Sequence, residues 1–232
     1  MIKAIFFDAA GILYTRTVPT EKYALDMLQN KGYPTELSPV QNSHLITLKS
    51  QASQGLIDHE TYWDHFLLMR GVLDSQLRKD FTSAFINFSN EVQPIPGVRE
   101  SLMGLKQKGF LLGIITDTMY PVEWKMRRLE KVGVSELIDI VACSTDLGAH
   151  KPDPTVYRYA LKQANLNQFE SAFVGHLSIE LNGAQRAGMI TIAINHDPEA
   201  IADYYCNSIS DLLYLPILQR IQGDVIEFRE VN

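Results

Sequence analysis

The segment IFFDAAGIL (residues 5–13) is an apolar run that ends on Asp8 and then turns at Gly11. A buried strand that stops at a carboxylate places that group at the carboxyl edge of a parallel sheet, where open α/β folds bind their ligands. Position 10 carries an alanine, so the segment supplies one carboxylate and no second acid two residues later. It therefore predicts a ligand site built around Asp8.

Short apolar runs recur along the chain with room for a helix between them. They lie at residues 3–7, 111–115, 138–142, 171–174 and 190–194. Helical patterns that begin at prolines fill three of the gaps, at residues 98–108, 122–132 and 155–164. Because strands that alternate with helices form parallel sheets, the sequence predicts the α/β class.

The interval from Arg16 to Gln93 breaks this alternation. It shows helical patterns in succession and no convincing strand, so it predicts an inserted helical bundle. The predicted helix starts are Thr20, Ser38-Pro39, Asp58 and Asp74, and the predicted stops are Gly32, Gly55 and Gly71. We expect residues 1–15 and 94–232 to form one core domain and residues 16–93 to form a helical domain.

In the tail, the sequence predicts an amphipathic helix over Ser210–Gln222 that is interrupted at Pro216, and an edge strand over Asp224–Asn232.

Composition limits the partners. The chain has 21 basic and 27 acidic residues, for a net charge of −6 without charge runs, which argues against a nucleic-acid or anionic-membrane surface. Its cysteines, Cys143 and Cys206, lack metal-ligand spacing, which favours a reducing, cytoplasmic setting. No segment approaches the ~20 apolar residues of a membrane span. We expect a small-molecule partner, and the sequence does not indicate an oligomeric state.

A polar cluster directly follows each of several predicted strands. The clusters are Asp8, Thr116-Asp117, Lys151-Pro152-Asp153-Pro154, and Gly175-His176 through Glu180. Their order resembles the haloacid dehalogenase superfamily, as do the segments AFVG (residues 172–175) and GAQRAGM (residues 183–189). The resemblance covers nearly the whole chain. It implies a Rossmann-like parallel sheet core with helices on both faces, and identifies the helical insert as an α-helical cap of the C1 type.

The resemblance also implies roles for the residues. Asp8 would be a nucleophile that forms an aspartyl intermediate. Thr116 and Lys151 would hold an anionic group, and Glu180 would activate water. Further substrate contacts are expected from the backbone of Ala9, Ala10 and Gly11 and from Asp117 and His176.

The first and fourth motifs are degenerate. Phosphatases of the superfamily usually carry an aspartate two residues after the nucleophile, where this chain has Ala10, and its loss removes general acid–base assistance worth about 10² to 10⁴ in rate. They also carry an Mg²⁺-binding aspartate where this chain has His176, and imidazole is a poor magnesium ligand. Magnesium binding is therefore doubtful, with Asp8, the Ala10 carbonyl and Glu180 as the candidate ligands.

The leading hypothesis is a hydrolase that acts on a small anionic, phosphorylated metabolite with weak or no dependence on Mg²⁺. One alternative is a metal-independent 2-haloacid dehalogenase, because halide leaves without a proton. Another is a catalytically degraded member that only binds its ligand. We interpret His176 as a hydrogen-bonded histidine that fills space, and Lys49 as a solvated helix lysine rather than a Schiff-base residue.

Overall fold

The computed structural model describes residues 1–219. Its strands are β1 Ala4–Phe7, β2 Tyr14–Thr15, β3 Gln93–Pro94, β4 Leu111–Thr116, β5 Ile140–Cys143, β6 Ser171–Gly175, β7 Ile190–Ile194 and β8 Tyr204–Cys206. Its α-helices are α1 Thr20–Asn30, α2 Pro39–Ser53, α3 His59–Leu68, α4 Ser75–Ser89, α5 Val98–Gln107, α6 Val122–Lys131, α7 Ser144–Leu147, α8 Pro154–Ala164 and α9 Ser178–Arg186. No helix within this part of the chain combines the length and apolar character needed to cross a membrane.

Six strands form a parallel sheet in the order β5-β4-β1-β6-β7-β8. The central strand β1 is buried at every residue, as expected for a parallel strand that is covered on both faces. Its side chains alternate between two hydrophobic cores. Ile5 and Phe7 face one core, and Ala4 and Phe6 face the other. The predicted α/β fold with a Rossmann-like parallel sheet is confirmed.

Helices cover both faces of the sheet. Helices α5 and α6 contribute Leu102, Leu105 and Leu129 to the core that contains Ile5 and Phe7. On the opposite face, α8 and α9 contribute residues such as Tyr157 and Leu181 to the second core. The sheet is therefore the middle layer of three.

Helices α1–α4 form the insert and share a separate hydrophobic core that includes Trp63, Phe66 and Phe85. Their starts follow from local chemistry. Asp58 and Asp74 accept hydrogen bonds from backbone N–H groups in the first turns of α3 and α4, and Ser38 forms a capping box with Gln41 at α2. The division into a core domain and a cap domain at residues 16–93 stays a prediction.

The two chain crossings between core and insert are joined by a short antiparallel pair. Tyr14 of β2 is opposite Pro94 of β3. The sequence analysis did not predict these two strands, nor β8 at the edge of the sheet.

The tail differs from the expected amphipathic helix over Ser210–Gln222. Residues Ile209–Tyr214 and Pro216–Leu218 form two 3₁₀ helices instead. Pro216 lacks an N–H group and restricts the preceding Leu215, which adopts extended backbone with φ −61° and ψ 128°. The helix prediction is therefore wrong as far as residue 219. The edge strand predicted for Asp224–Asn232 lies outside the described residues.

Candidate active site

The sheet register brings the predicted site residues to one edge. Phe7 of β1 pairs with Ile114 of β4 and with Val174 of β6. Asp8 therefore follows β1 at the level of Gly175, the last residue of β6, and one residue before the level of Thr116, the last residue of β4. Parallel strands thus place one carboxylate, one hydroxyl and the start of the fourth motif together.

Asp8, Lys151 and Glu180 form a buried ionic cluster at this edge. The Lys151 ammonium nitrogen Nζ lies 2.5 Å from Asp8 Oδ1 and 2.8 Å from Glu180 Oε1. The side chains are 1%, 8% and 9% exposed for Lys151, Asp8 and Glu180. Burial opposes the charge of Lys151, but Asp8, Glu180 and Asp117 outweigh it and raise the Lys151 pKa well above its usual value. Lys151 is therefore a permanent cation beside Asp8.

Glu180 has one carboxylate oxygen bound to Lys151 and one that is unpaired. Its Oε2 atom is buried and has no hydrogen-bond partner among the described residues. The pKa of this carboxyl is raised to about 7. Burial is the largest cause and the Asp8 charge acts in the same direction, whereas the Lys151 charge lowers the pKa. Helix α8 holds the first turn of α9 in place, because the Tyr157 hydroxyl donates a hydrogen bond to the Glu180 carbonyl at 2.8 Å. A carboxyl group with this pKa can exchange a proton near neutral pH.

Asp117 and Thr116 support the cluster from β4. The Lys151 N–H donates to Asp117 Oδ1 at 3.2 Å, which joins the loop that carries the lysine to the end of β4. Burial raises the pKa of Asp117. The Thr116 hydroxyl is buried and has no hydrogen-bond partner within residues 1–219. An unsatisfied buried hydroxyl is costly, so Thr116 is available to a ligand oxygen.

His176 lies between the two motifs that have lost an acid. Its Nδ1 atom is 3.7 Å from Asp8 Oδ2 and, in the described part of the chain, has no hydrogen-bond partner. The ring packs on Gly11, where an added Cβ would come within 2.9 Å of Cε1, and Gly11 also has a positive φ of 86°. A residue other than glycine would be strained there and would displace the ring. The ring thus fills space against Gly11 as the sequence suggested, but its Nδ1 atom is not hydrogen-bonded within residues 1–219.

The loop after Asp8 is held by its own backbone. The Ala9 carbonyl accepts hydrogen bonds from the N–H groups of Leu13 and Tyr14 at 2.9 and 3.3 Å. The Gly11 N–H donates to the Tyr14 carbonyl at 2.8 Å. The expected anion contact from Gly11 is therefore not available, because its donor is already used; contacts from Ala9 and Ala10 stay predictions.

Lys49 is paired within the insert. It pairs with Glu21 of α1 at 2.8 Å, and the Tyr62 hydroxyl donates to the same carboxylate at 2.6 Å. The Lys49 side chain is half exposed. These contacts agree with the interpretation of Lys49 as a surface lysine.

The insert touches the active-site loop through a residue that sequence reasoning missed. His150, directly before Lys151, has Nε2 3.0 Å from Ser50 Oγ of α2 and Nδ1 2.8 Å from the Lys151 carbonyl. A second contact joins Trp63 of α3 to the Tyr120 hydroxyl at 3.2 Å. The position of His150 beside Lys151 was the only sequence signal, and it did not reveal the partner in the insert.

The donor set does not fit Mg²⁺ well. Asp8, His176 and Glu180 each offer one atom, and these atoms lie within 4.8 Å of one another. Magnesium requires octahedral oxygen ligands, yet one donor is an imidazole nitrogen and both carboxylates already bind the Lys151 ammonium. The unpaired Glu180 Oε2 is one free oxygen ligand.

Comparison with known proteins identifies the family of the chain. The family model for haloacid dehalogenase-like hydrolase matches residues 5–194. A glyceraldehyde 3-phosphate phosphatase from Methanocaldococcus jannaschii is 28% identical over 228 residues, which is 92% of this chain and 96% of that protein.

Solved structures show the same fold. A 2-haloacid dehalogenase from Pseudomonas syringae pv. Tomato DC3000 superposes with a TM-score of 0.65 and 28% identity, over 94% of this chain and 98% of that one. A HAD phosphatase from Thermococcus onnurineus gives 0.62 and 20%, over 95% and 100%. With the family model matching most of its length, the chain belongs to the haloacid dehalogenase-like hydrolases.

Proposed function

We propose that the protein hydrolyses a small phosphorylated metabolite through Asp8 as the nucleophile. The observation that carries this proposal is the buried Asp8–Lys151–Glu180 cluster at the carboxyl edge of the sheet. Lys151 holds the Asp8 carboxylate in place at 2.5 Å and offers its charge to a phosphoryl oxygen. The glyceraldehyde 3-phosphate phosphatases similar to this chain support a phosphorylated substrate of that size.

The reaction would take two steps. Asp8 attacks phosphorus and the leaving oxygen departs, which leaves a phosphoryl group on the aspartate. Water then attacks that phosphoryl group, its proton passes to Glu180, and the Asp8 carboxylate is released. Glu180 suits this second step because its pKa is about 7 and its Oε2 atom is unpaired.

The missing acid at position 10 limits the substrates. Without a carboxyl group there, an alkoxide leaving group would have to depart without protonation from this position. We therefore expect acyl phosphates and other activated phosphates to react faster than simple phosphate esters. Because the donor set suits magnesium poorly, we expect chelators to reduce turnover only slightly.

The dehalogenase activity is the second candidate. It is favoured by the same missing acids, at Ala10 and His176, because a departing halide needs no proton and Asp8 would attack carbon. The similarity to the 2-haloacid dehalogenase of Pseudomonas syringae supports it.

A single assay design separates the candidates. The wild-type protein, D8N and the surface control D146N are assayed against acyl phosphates, phosphate esters and 2-haloacids, each with Mg²⁺ and with EDTA. Phosphate release that disappears in D8N but persists in D146N supports the proposal. Halide release instead would establish the dehalogenase. Turnover that is unchanged in D8N would refute the role of Asp8. Ligand-dependent thermal stabilisation without turnover would indicate a protein that only binds.

A further inference from the structure

A basic region lies at the junction between the insert and the core. A cavity of about 410 Å³ separates the end of α4 from α6, and we call it the hinge groove. Its polar and aromatic lining residues are Asn87, Asn90, Trp124, Arg127, Arg128 and Lys131. The insert contributes the asparagines and the core contributes the tryptophan and the three cations.

The cations of the hinge groove have no carboxylate partner. None of Arg127, Arg128 and Lys131 forms an ion pair with any residue between 1 and 219. Two acids of the same helix, Glu123 and Glu130, line the neighbouring surface, which Arg127 also lines. The groove therefore has three positive charges and no acidic lining residue.

Neutral acceptors hold the cations in place. Arg128 donates from Nε to Asn90 Oδ1 at 3.1 Å and from Nη2 to Ser89 Oγ at 2.9 Å. Lys131 donates to the Asn90 carbonyl at 3.2 Å. Arg128 is only 3% exposed, and burial lowers the pKa of its guanidinium. A buried cation that lacks a counter-charge is costly, and a bound anion would remove part of that cost.

Two more cations lie behind the groove. Lys125, which is 3% exposed, donates to the Tyr14 hydroxyl at 3.0 Å and to the Asp117 carbonyl at 3.3 Å. Arg16 donates to the Ser89 carbonyl at 2.8 Å. Neither forms an ion pair in the described part of the chain. All five cations therefore contribute positive potential to one side of the hinge.

We propose that the hinge groove binds a phosphate group, either free or carried by a metabolite, at a site separate from Asp8. Arginine forks match phosphate geometry, lysine adds a point charge, and the Asn87 amide supplies a neutral donor. The volume falls in the range of small-molecule sites, so the ligand can include an organic part beside Trp124. A ligand bound there contacts α4 and α6 together, and so links the insert to the core.

Trp124 allows a direct test, because Trp63 is the only other tryptophan. In a W63F background, the fluorescence of Trp124 is titrated with inorganic phosphate and, separately, pyrophosphate, with sodium chloride at matched ionic strength as the screening control. We expect saturable changes with both phosphates and none with chloride. R127Q/K131Q should raise the half-saturating concentration at least about tenfold, because two charge-assisted contacts are lost.

A matched control exists on α8. Arg158 and Lys162 are also exposed and also four residues apart, so R158Q/K162Q removes the same charges elsewhere. This control should titrate like the parent. Equal titration of the two double variants, or an equal response to chloride, would overturn the proposal. If W63F does not fold, the rise in thermal unfolding temperature caused by pyrophosphate is compared among wild type and both double variants. The proposal then requires a smaller rise only in R127Q/K131Q.

Discussion

The carboxyl edge of the sheet and the hinge region each bury a lysine, and they stabilise it in different ways. Lys151 at the edge is 5% exposed and lies between two carboxylates, Asp8 and Glu180. Lys125 near the hinge is 3% exposed and has only a phenol and a carbonyl as partners. In the first region, which we call the balanced region, carboxylates compensate the lysine charge without a ligand. The second, which we call the unbalanced region, has excess positive charge. Under the proposed function the balanced region carries out catalysis, and the excess charge of the unbalanced region suits it to anion binding.

The largest expected difference is in activity. K151M removes the charge that contacts both Asp8 and a phosphoryl oxygen, and loss of such a group typically costs about 10² to 10³ in kcat. K125M removes an equally buried charge that contacts the site only through the Asp117 backbone carbonyl, so kcat should fall less than about tenfold. Steady-state kinetics on the best substrate of the panel measures both. Equal losses in the two variants would show that the two regions do not differ in function.

The next difference is in stability. K151M leaves two carboxylates without a counter-charge, and breaking a buried ion pair costs about 3 to 5 kcal/mol in the free energy of unfolding. K125M leaves the Tyr14 hydroxyl and the Asp117 carbonyl without a donor, which costs about 1 to 3 kcal/mol. Urea unfolding of both variants at neutral pH gives the comparison. A larger loss in K125M would contradict the charge balance described above.

The fold could be predicted where an element has a continuous apolar run or a capping residue at its start. The central strands were predicted because they are continuous apolar runs, and the helix starts of the insert because Ser38, Asp58 and Asp74 are capping residues. Strand β8 was missed because it has only three residues, of which Tyr205 is exposed. The tail helix was predicted wrongly because its apolar spacing also fits two short 3₁₀ helices that are separated before Pro216.

The candidate site could be predicted only in part. The order of Asp8, Lys151 and Glu180 along the chain indicated which residue types would meet, and the structure brings them together. The contact of His176 with Gly11 was not predictable, because it depends on two loops that are distant in sequence. The hinge groove was missed for the same reason, since Asn90 and Arg128 are separated by 38 positions and meet only in the fold.

The pH dependence of stability tests the balanced region. The pKa of Glu180 rises from an ordinary 4.5 to about 7 in the folded protein. Between these values the folded state binds more protons than the unfolded state, so the free energy of unfolding falls as pH rises. This contribution is fully present below the unfolded pKa and is lost as pH passes through about 7.

The measurement compares wild type with E180Q, which cannot titrate at this position. Urea unfolding across the acidic to neutral range should show the wild type losing stability relative to E180Q as pH rises. D146N, an exposed carboxylate variant, serves as control and should follow the wild type. Parallel curves for wild type and E180Q would mean that Glu180 has an ordinary pKa.

The smallest expected effect concerns Tyr14 in the unbalanced region. Burial raises the pKa of its phenol, but Lys125, Arg128 and Arg16 outweigh it and lower the pKa below the usual 10.0. Ionised Tyr14 would supply the counter-charge that the region lacks. Ultraviolet titration should therefore show one phenol ionising before the others, and Y14F should remove that early step. Y205F, which alters an exposed phenol, should retain the step.

Addition of pyrophosphate should raise the pKa of Tyr14 if the hinge groove holds the anion, because the bound charge competes for the same cations. An unchanged early step with pyrophosphate present would show that the Tyr14 phenol does not sense an anion in the groove.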